Sequence, residues 1–214
     1  MTAKVLNARQ SLQFLQEQSK DSPSIIAISG PTCSGKTTFA TFFESAGQRN
    51  GSPIAVVPLD CFFRSKGDSA FPRDAQKNLL FDVPESFLAQ EFTTAVSTLS
   101  QGFSTRLPFY DKGSNERLAR PGVKVFPTGK TAGEGLFAGK FLQEAGLRVF
   151  SVFMDTPMEV CLFRRINRDT KLYGVSKEKV ERFFRSRITP YWALCVGDQL
   201  KNADLIVCYD EGGG

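Results

Sequence analysis

Thirteen residues, Ile25-Ile26-Ala27-Ile28-Ser29-Gly30-Pro31-Thr32-Cys33-Ser34-Gly35-Lys36-Thr37, constrain the fold of this chain more than any other stretch. A short β-branched run enters a loop with glycine at its first and sixth positions, and Lys-Thr then opens a segment with helical apolar spacing. Glycines let successive backbone N–H groups turn inward, and the helix start adds the positive end of its dipole. The loop is therefore a cradle for phosphate oxygens, written G-x-x-x-x-G-K-[ST] in the strand–loop–helix setting that the pattern needs. Gly30, Pro31, Thr32, Cys33, Ser34, Gly35, Lys36, Thr37 and Thr38 are the expected nucleotide contacts. Lys36 is placed to reach the β- and γ-phosphates of a nucleoside triphosphate, and the Thr37 hydroxyl to ligate Mg²⁺. A second Thr128-Gly129-Lys130-Thr131 has Lys124 where the upstream glycine belongs, and is not read as a cradle.

Around the cradle, short β-branched runs alternate with longer stretches of 3.6-residue period, which predicts parallel βαβ units and a doubly wound α/β sheet. Strands are expected at Ile25 to Ser29, Ile54 to Pro58, Leu147 to Met154 and Asp204 to Tyr209. Helices are expected from Gly35 to about Ala46 and from Pro84 through Ser100. Arg106 to Tyr110 and Val123 to Phe126 read as extended pieces of a hairpin. A basic helix follows Pro157, breaks at Tyr173-Gly174 and resumes after Ser176 until Pro190 disturbs it. Residues 1–22, with Val5, Leu6, Leu12 and Leu15, read as a loosely amphipathic helical extension, and 23–214 as a single domain.

The 214 residues suit one domain, and no apolar run approaches the roughly 18 residues of a membrane span. Histidine is absent, which excludes Ser-His-Asp and Cys-His nucleophiles and His-ligated zinc. Acid–base work falls to carboxylates. Five scattered cysteines without a C-x-x-C suggest a reducing, cytoplasmic setting. The net charge of +5 is matched by the segment Arg164 to Arg187 alone, with nine Lys/Arg against three acids. That segment reads as a solvated helix face, a polyphosphate clamp or a nucleic-acid surface. The last ranks lowest, because aromatic positions do not alternate with its basic residues.

Beyond the cradle the chain resembles the uridine kinase and phosphoribulokinase family of small P-loop kinases. Asp60-Cys61-Phe62-Phe63 is similar to its D-x-F-Y, and Leu80 to Phe87 (LFDVPESF) to its N-F-D-x-P-x-A-F. Leu107 to Asp111 (LPFYD) is similar to its P-x-Y-D. Glu134-Gly135-Leu136, Met154-Asp155-Thr156, Arg164 to Asp169 (RRINRD) and Asn202 to Ile206 (NADLI) follow in the family's order. The resemblance implies a P-loop nucleoside triphosphate hydrolase fold of the NMP-kinase kind, with a helical lid near 164–187. It implies ATP and Mg²⁺ as cofactors, a small nucleoside as substrate, no nucleic-acid or membrane partner, and makes a homo-oligomer plausible.

Asp60 lies just past a strand's C-terminal end, where ligands of open α/β sheets gather, and is placed to accept or orient a 5′-hydroxyl proton. By resemblance Asp60, Lys36 and Arg168 form the catalytic set, and Glu134 completes a magnesium shell with Thr37 and Asp60. Asp82 would bind the ribose diol with Arg165 beside it. Tyr110 would stack or hydrogen-bond at the base, with Asn115 at the position of the family's base-contacting residue and Arg117 helping to position it. The pattern departs at Asn115, which replaces a histidine, at Phe63, which replaces a tyrosine, and in the lid, where Leu172-Tyr173-Gly174-Val175 replaces two arginines. Lys171, Lys177 or Lys179 are candidate substitutes. Gly129 to Gly133 also makes an unusual central strand, either irregular with Lys130 turned to the nucleotide or altering the site of Glu134. Phosphorylation of a nucleoside 5′-hydroxyl is the leading expectation. Another small alcohol (nicotinamide riboside, pantothenate or a sugar phosphate) and a non-catalytic nucleotide-binding module remain alternatives.

Overall fold

The computed structural model describes residues 3–17 and 24–210, apart from the side chain of Cys195. The boundary expected between residues 22 and 23 lies outside the described residues. In chain order the elements begin with β1 (Lys4–Asn7), α1 (Ala8–Glu17), β2 (Ile25–Ser29), α2 (Lys36–Arg49), β3 (Ile54–Pro58) and α3 (Ala89–Ser100). Four short strands follow: β4 (Thr105–Leu107), β5 (Tyr110–Asp111), β6 (Glu116–Arg117) and β7 (Val123–Val125). The chain closes with β8 (Lys130–Glu134), α4 (Ala138–Glu144), β9 (Val149–Asp155), α5 (Met158–Tyr173), α6 (Lys177–Phe183), α7 (Trp192–Lys201) and β10 (Leu205–Cys208).

Among the described residues, six parallel strands form one sheet in the order β1-β10-β9-β2-β8-β3. Every residue of β2 is buried, as a central parallel strand covered on both faces requires. Ile25 and Ala27 pack with α3 and α4 on one face, and Ile26 and Ile28 with Phe39 and Phe43 of α2 on the other. The fold is thus a doubly wound P-loop α/β sheet, with the cradle at the C-terminal end of its central strand.

Three expectations change. Val5 and Leu6, read as the start of a helix, lie in β1, which pairs residue by residue with β10 from Lys4↔Leu205 to Asn7↔Cys208. The free edge of β10 offers backbone partners that a short isolated helix would lack, and the helix itself begins only at Ala8. The helix after Pro84 starts as a separate 3₁₀ turn, Pro84–Ser86, and becomes α-helical only at Ala89. The third concerns β8, which is a regular strand bonded on both sides, to β2 and to β3. A Cβ at Gly133 would stand 2.9 Å from Phe92 Cζ and 3.1 Å from Leu142 Cδ1, so large neighbours fill the space that the strand leaves. Lys130 sits half-buried at the strand's start, its Nζ 3.4 Å from the Leu15 carbonyl of α1 and not at the nucleotide loop. Burial lowers its pKa.

The expected hairpin is present as β4 against β7, with a second, inner pair of β5 against β6. Gly174, at φ +63°, ends α5, and the Ser176 hydroxyl accepts from Lys179 N–H to start α6. Past α6 the chain widens into a π-turn at Phe184–Ile188 and tightens at Thr189–Tyr191, where Pro190 supplies no N–H.

Candidate active site

The cradle is shaped by backbone conformations that side chains resist. Gly30 (φ +147°) lies so close to β9 that a Cβ would meet Met154 O at 2.8 Å. Gly35 (φ +101°) and Cys33 (φ +58°) complete the inward turn. The Ser34 carbonyl is braced from outside by the Thr156 hydroxyl at 2.9 Å and Arg164 Nη1 at 3.1 Å. Inside the turn, the buried Lys36 ammonium donates to the Pro31 carbonyl at 2.7 Å. The Ser34 hydroxyl is buried with no hydrogen-bond partner among the described residues. A cation held by its own loop and an unmatched hydroxyl are what a triphosphate would satisfy.

Three carboxylates gather near this loop, Glu134 and Asp60 at or just past strand ends and Asp82 in the segment before the Pro84–Ser86 turn. Glu134 closes β8, and its Oε1 accepts from the Thr37 hydroxyl at 3.2 Å. Burial pushes the Glu134 carboxyl above its ordinary pKa, Lys36 draws it back, and Asp60 adds to the rise. Asp60 sits in the 3₁₀ turn Leu59–Phe62 after β3, half-exposed, its Oδ2 2.6 Å from Lys112 Nζ. Asp82 is buried and its carboxyl is raised, chiefly by desolvation. Arg165 and Lys36 oppose that rise, Asp60 reinforces it, and Arg168 also opposes it. These mutual fields bring Asp60, Asp82, Glu134, Lys36, Arg165 and Arg168 into one cluster.

Among the described residues no three His, Cys, Asp or Glu side chains are grouped to hold a metal by themselves. That fits Mg²⁺, which typically takes one or two carboxylates and draws its remaining ligands from water and phosphate. The Thr37 hydroxyl and the Glu134 carboxylate, with Asp60 beyond, are hard oxygen donors of that kind.

Helix α5 lines the other side. Arg164, Arg165 and Arg168 lie on one face because their spacing is i, i+1, i+4. Arg165 donates to the Thr32 hydroxyl at 3.2 Å and pairs with Asp169 at 3.3 Å, and Arg168 pairs with the other oxygen of Asp169 at 2.8 Å. One acid therefore restrains both arginines. Lys171, Lys177 and Lys179 are exposed along the lid helices.

On the acceptor side an aromatic wall stands beside Asp60. Tyr110 stacks at 5.2 Å from Phe63, which lies 4.2 Å from Phe87 and 5.9 Å from Phe81. Burial, with Glu116, Asp60 and Asp111 adding, pushes the Tyr110 phenol up to about 12, so it is neutral at physiological pH. Its hydroxyl is buried and has no hydrogen-bond partner among the described residues. Asn115 takes φ +58° in the turn that Asp111 caps through Gly113 N and Ser114 N, a conformation asparagine tolerates well.

Arg117, expected to help position the base, stands opposite Tyr110 in the β5–β6 ladder with its side chain engaged by α3. Its guanidinium forks onto Glu91 of α3 at 3.0 and 2.7 Å, in a cavity of about 800 Å³ that Arg106 and Arg120 also line. A bidentate carboxylate holds a guanidinium better than a neutral base edge would. Conversely, Lys112 was not singled out from the sequence, since in Asp111-Lys112-Gly113-Ser114 it reads as an ordinary turn lysine; only the fold carries it to Asp60.

The uridine kinase of Escherichia fergusonii is 29% identical over 188 residues, which cover 86% of this chain and 85% of that protein. In structure, a protein from Silicibacter sp. TM1040 described as a candidate fructose transport system kinase superposes with a TM-score of 0.71 at 19% identity. It covers 94% of this chain and 98% of its own. The D-glycerate 3-kinase of Cryptococcus neoformans var. grubii gives 0.61 at 15% identity, covering 86% and 87%. Residues 25–209 match the model of the Phosphoribulokinase / Uridine kinase family, and this chain belongs to that family of phosphotransferases.

Proposed function

We propose that the protein transfers the γ-phosphoryl group of ATP to the 5′-hydroxyl of a nucleoside, giving the nucleoside monophosphate and ADP. The observation that carries this reading is the meeting of Asp60 and Asp82 with the phosphate loop and the Thr37–Glu134 pair. The uridine kinase relatives support the acceptor class.

Bound Mg²⁺ would supply charge neutralisation between the phosphates. The chain's own residues supply the rest. Lys36 exchanges the Pro31 carbonyl for phosphate oxygens. Arg168 leaves Asp169 to spread the charge of the moving group while Arg165 stays beside Asp82 at the ribose side, and a guanidinium fork suits both tasks better than a point charge. Asp60 accepts the proton of the attacking hydroxyl, Asp82 receives the ribose diol, and the Tyr110–Phe63 wall lies along the base. Asn115 in place of histidine and Phe63 in place of tyrosine favour a second reading, the same transfer to another small alcohol.

Incubation with Mg-ATP and a nucleoside panel, read as monophosphate formed, tests the proposal. Nucleotide binding without any phosphorylated product would count against it. Asp60→Asn should lower kcat on the order of 10²- to 10⁴-fold, while ATP affinity, measured by calorimetry, stays within roughly threefold. A non-catalytic binding module would show no such split.

A further inference from the structure

Lys112 is a cation of the cleft that neither phosphate binding nor the family pattern accounts for. It follows β5, two residues past Tyr110, and its ammonium rests on Asp60 Oδ2 at 2.6 Å. Its charge is felt at Glu134 and Cys61, and it feels Arg168 and Tyr173 of α5, so it stands in the opening between the sheet's carboxylates and the lid. The side chain is about half-exposed.

Nearby acids are committed once the site is loaded. In the proposed transfer Asp60 would be shared with the acceptor hydroxyl, while Glu134 is bonded to Thr37 and Asp111 is capped by its own turn through Gly113 and Ser114. A bound acceptor would also strip water from the ammonium, and a desolvated charge needs an opposite charge or it is costly. A neutral acceptor leaves that need to the shared Asp60 alone. One carrying a carboxylate or a phosphate meets it.

We infer that Lys112 is a specificity-determining residue that selects an acceptor alcohol bearing an anionic group, a carboxylate or a phosphate. The inference rests on the proposed phosphotransfer and narrows its acceptor.

Matched pairs that differ only in that charge test it. Uridine against orotidine, nicotinamide riboside against nicotinic acid riboside, and glycerol against glycerate add a carboxylate. Ribose against ribose 5-phosphate adds a phosphate. The expected result is a kcat/KM at least tenfold higher for the charged member of one or more pairs. Lys112→Met should bring that ratio to about one through KM, and Lys112→Arg should restore most of it. The pairs that respond separate carboxylate from phosphate recognition. Preference for neutral members, or a ratio that Lys112→Met does not move, overturns the inference while leaving the kinase reading intact. Equal loss on both members of each pair also overturns it, since the lysine would then act on the transferring phosphoryl group. If no acceptor in the panel is phosphorylated, the kinase reading fails by that result. Calorimetry then decides the inference: charged members binding tenfold more weakly to Lys112→Met support it, and binding by none overturns it.

Discussion

At the residue scale, the site sets a buried carboxylate, Asp82, beside a half-exposed ion pair, Asp60 with Lys112 at 2.6 Å. Asp82 offers a test of the electrostatics. Its carboxyl is raised by burial, so the folded protein holds that proton more tightly than the unfolded chain does. Asp82 therefore costs stability as pH rises from the ordinary carboxylate range through its raised value. Asp82→Asn removes the cost: melting temperatures measured between pH 4 and 8 should show variant minus parent increasing with pH and then levelling. A difference that shrinks with pH would contradict this. In the sequence, Lys36 and Thr37 follow from the loop itself, because the loop's backbone geometry and its chemistry share eight consecutive residues. Arg117 and Lys112 depend on which distant carboxylate each meets, Glu91 of α3 and Asp60 after β3, and no spacing rule encodes that meeting.

At the element scale, strand and helix periods located β2, α2, β3 and β9 because each carries its own apolar pattern. Strand β8 was misleading for the converse reason. Lys-Thr-Ala-Gly-Glu has no β-branched run, and the strand is held by two flanking strands and by the Phe92, Leu142 and Val96 side chains that crowd Gly133. Propensity is weak beside such packing. Gly133→Ala should therefore overpack Phe92 and Leu142 and destabilise the protein by about 1–3 kcal/mol, visible in urea denaturation as a lower midpoint at unchanged slope. The same alanine at Gly129, where no atom lies near, should be close to silent.

At the scale of the whole molecule, the N-terminal segment is built into the sheet. Leu15 is fully buried with Ile26, Phe43 and Leu205, and Lys130 reaches the carbonyl of the same residue. Leu15→Ala should cost about 2–5 kcal/mol and lower the midpoint of one cooperative thermal transition, followed by calorimetry. An appendage folding by itself would instead leave the main transition in place. The pairing of β1 with β10 carries a further consequence for how the molecule is made. Strand β1 finds its partner only after the whole stretch between Asn7 and Leu205 has been synthesised. Its backbone groups must wait in water or borrow another chain, so this outer seam closes late in translation and exposes a stalled nascent chain to aggregation.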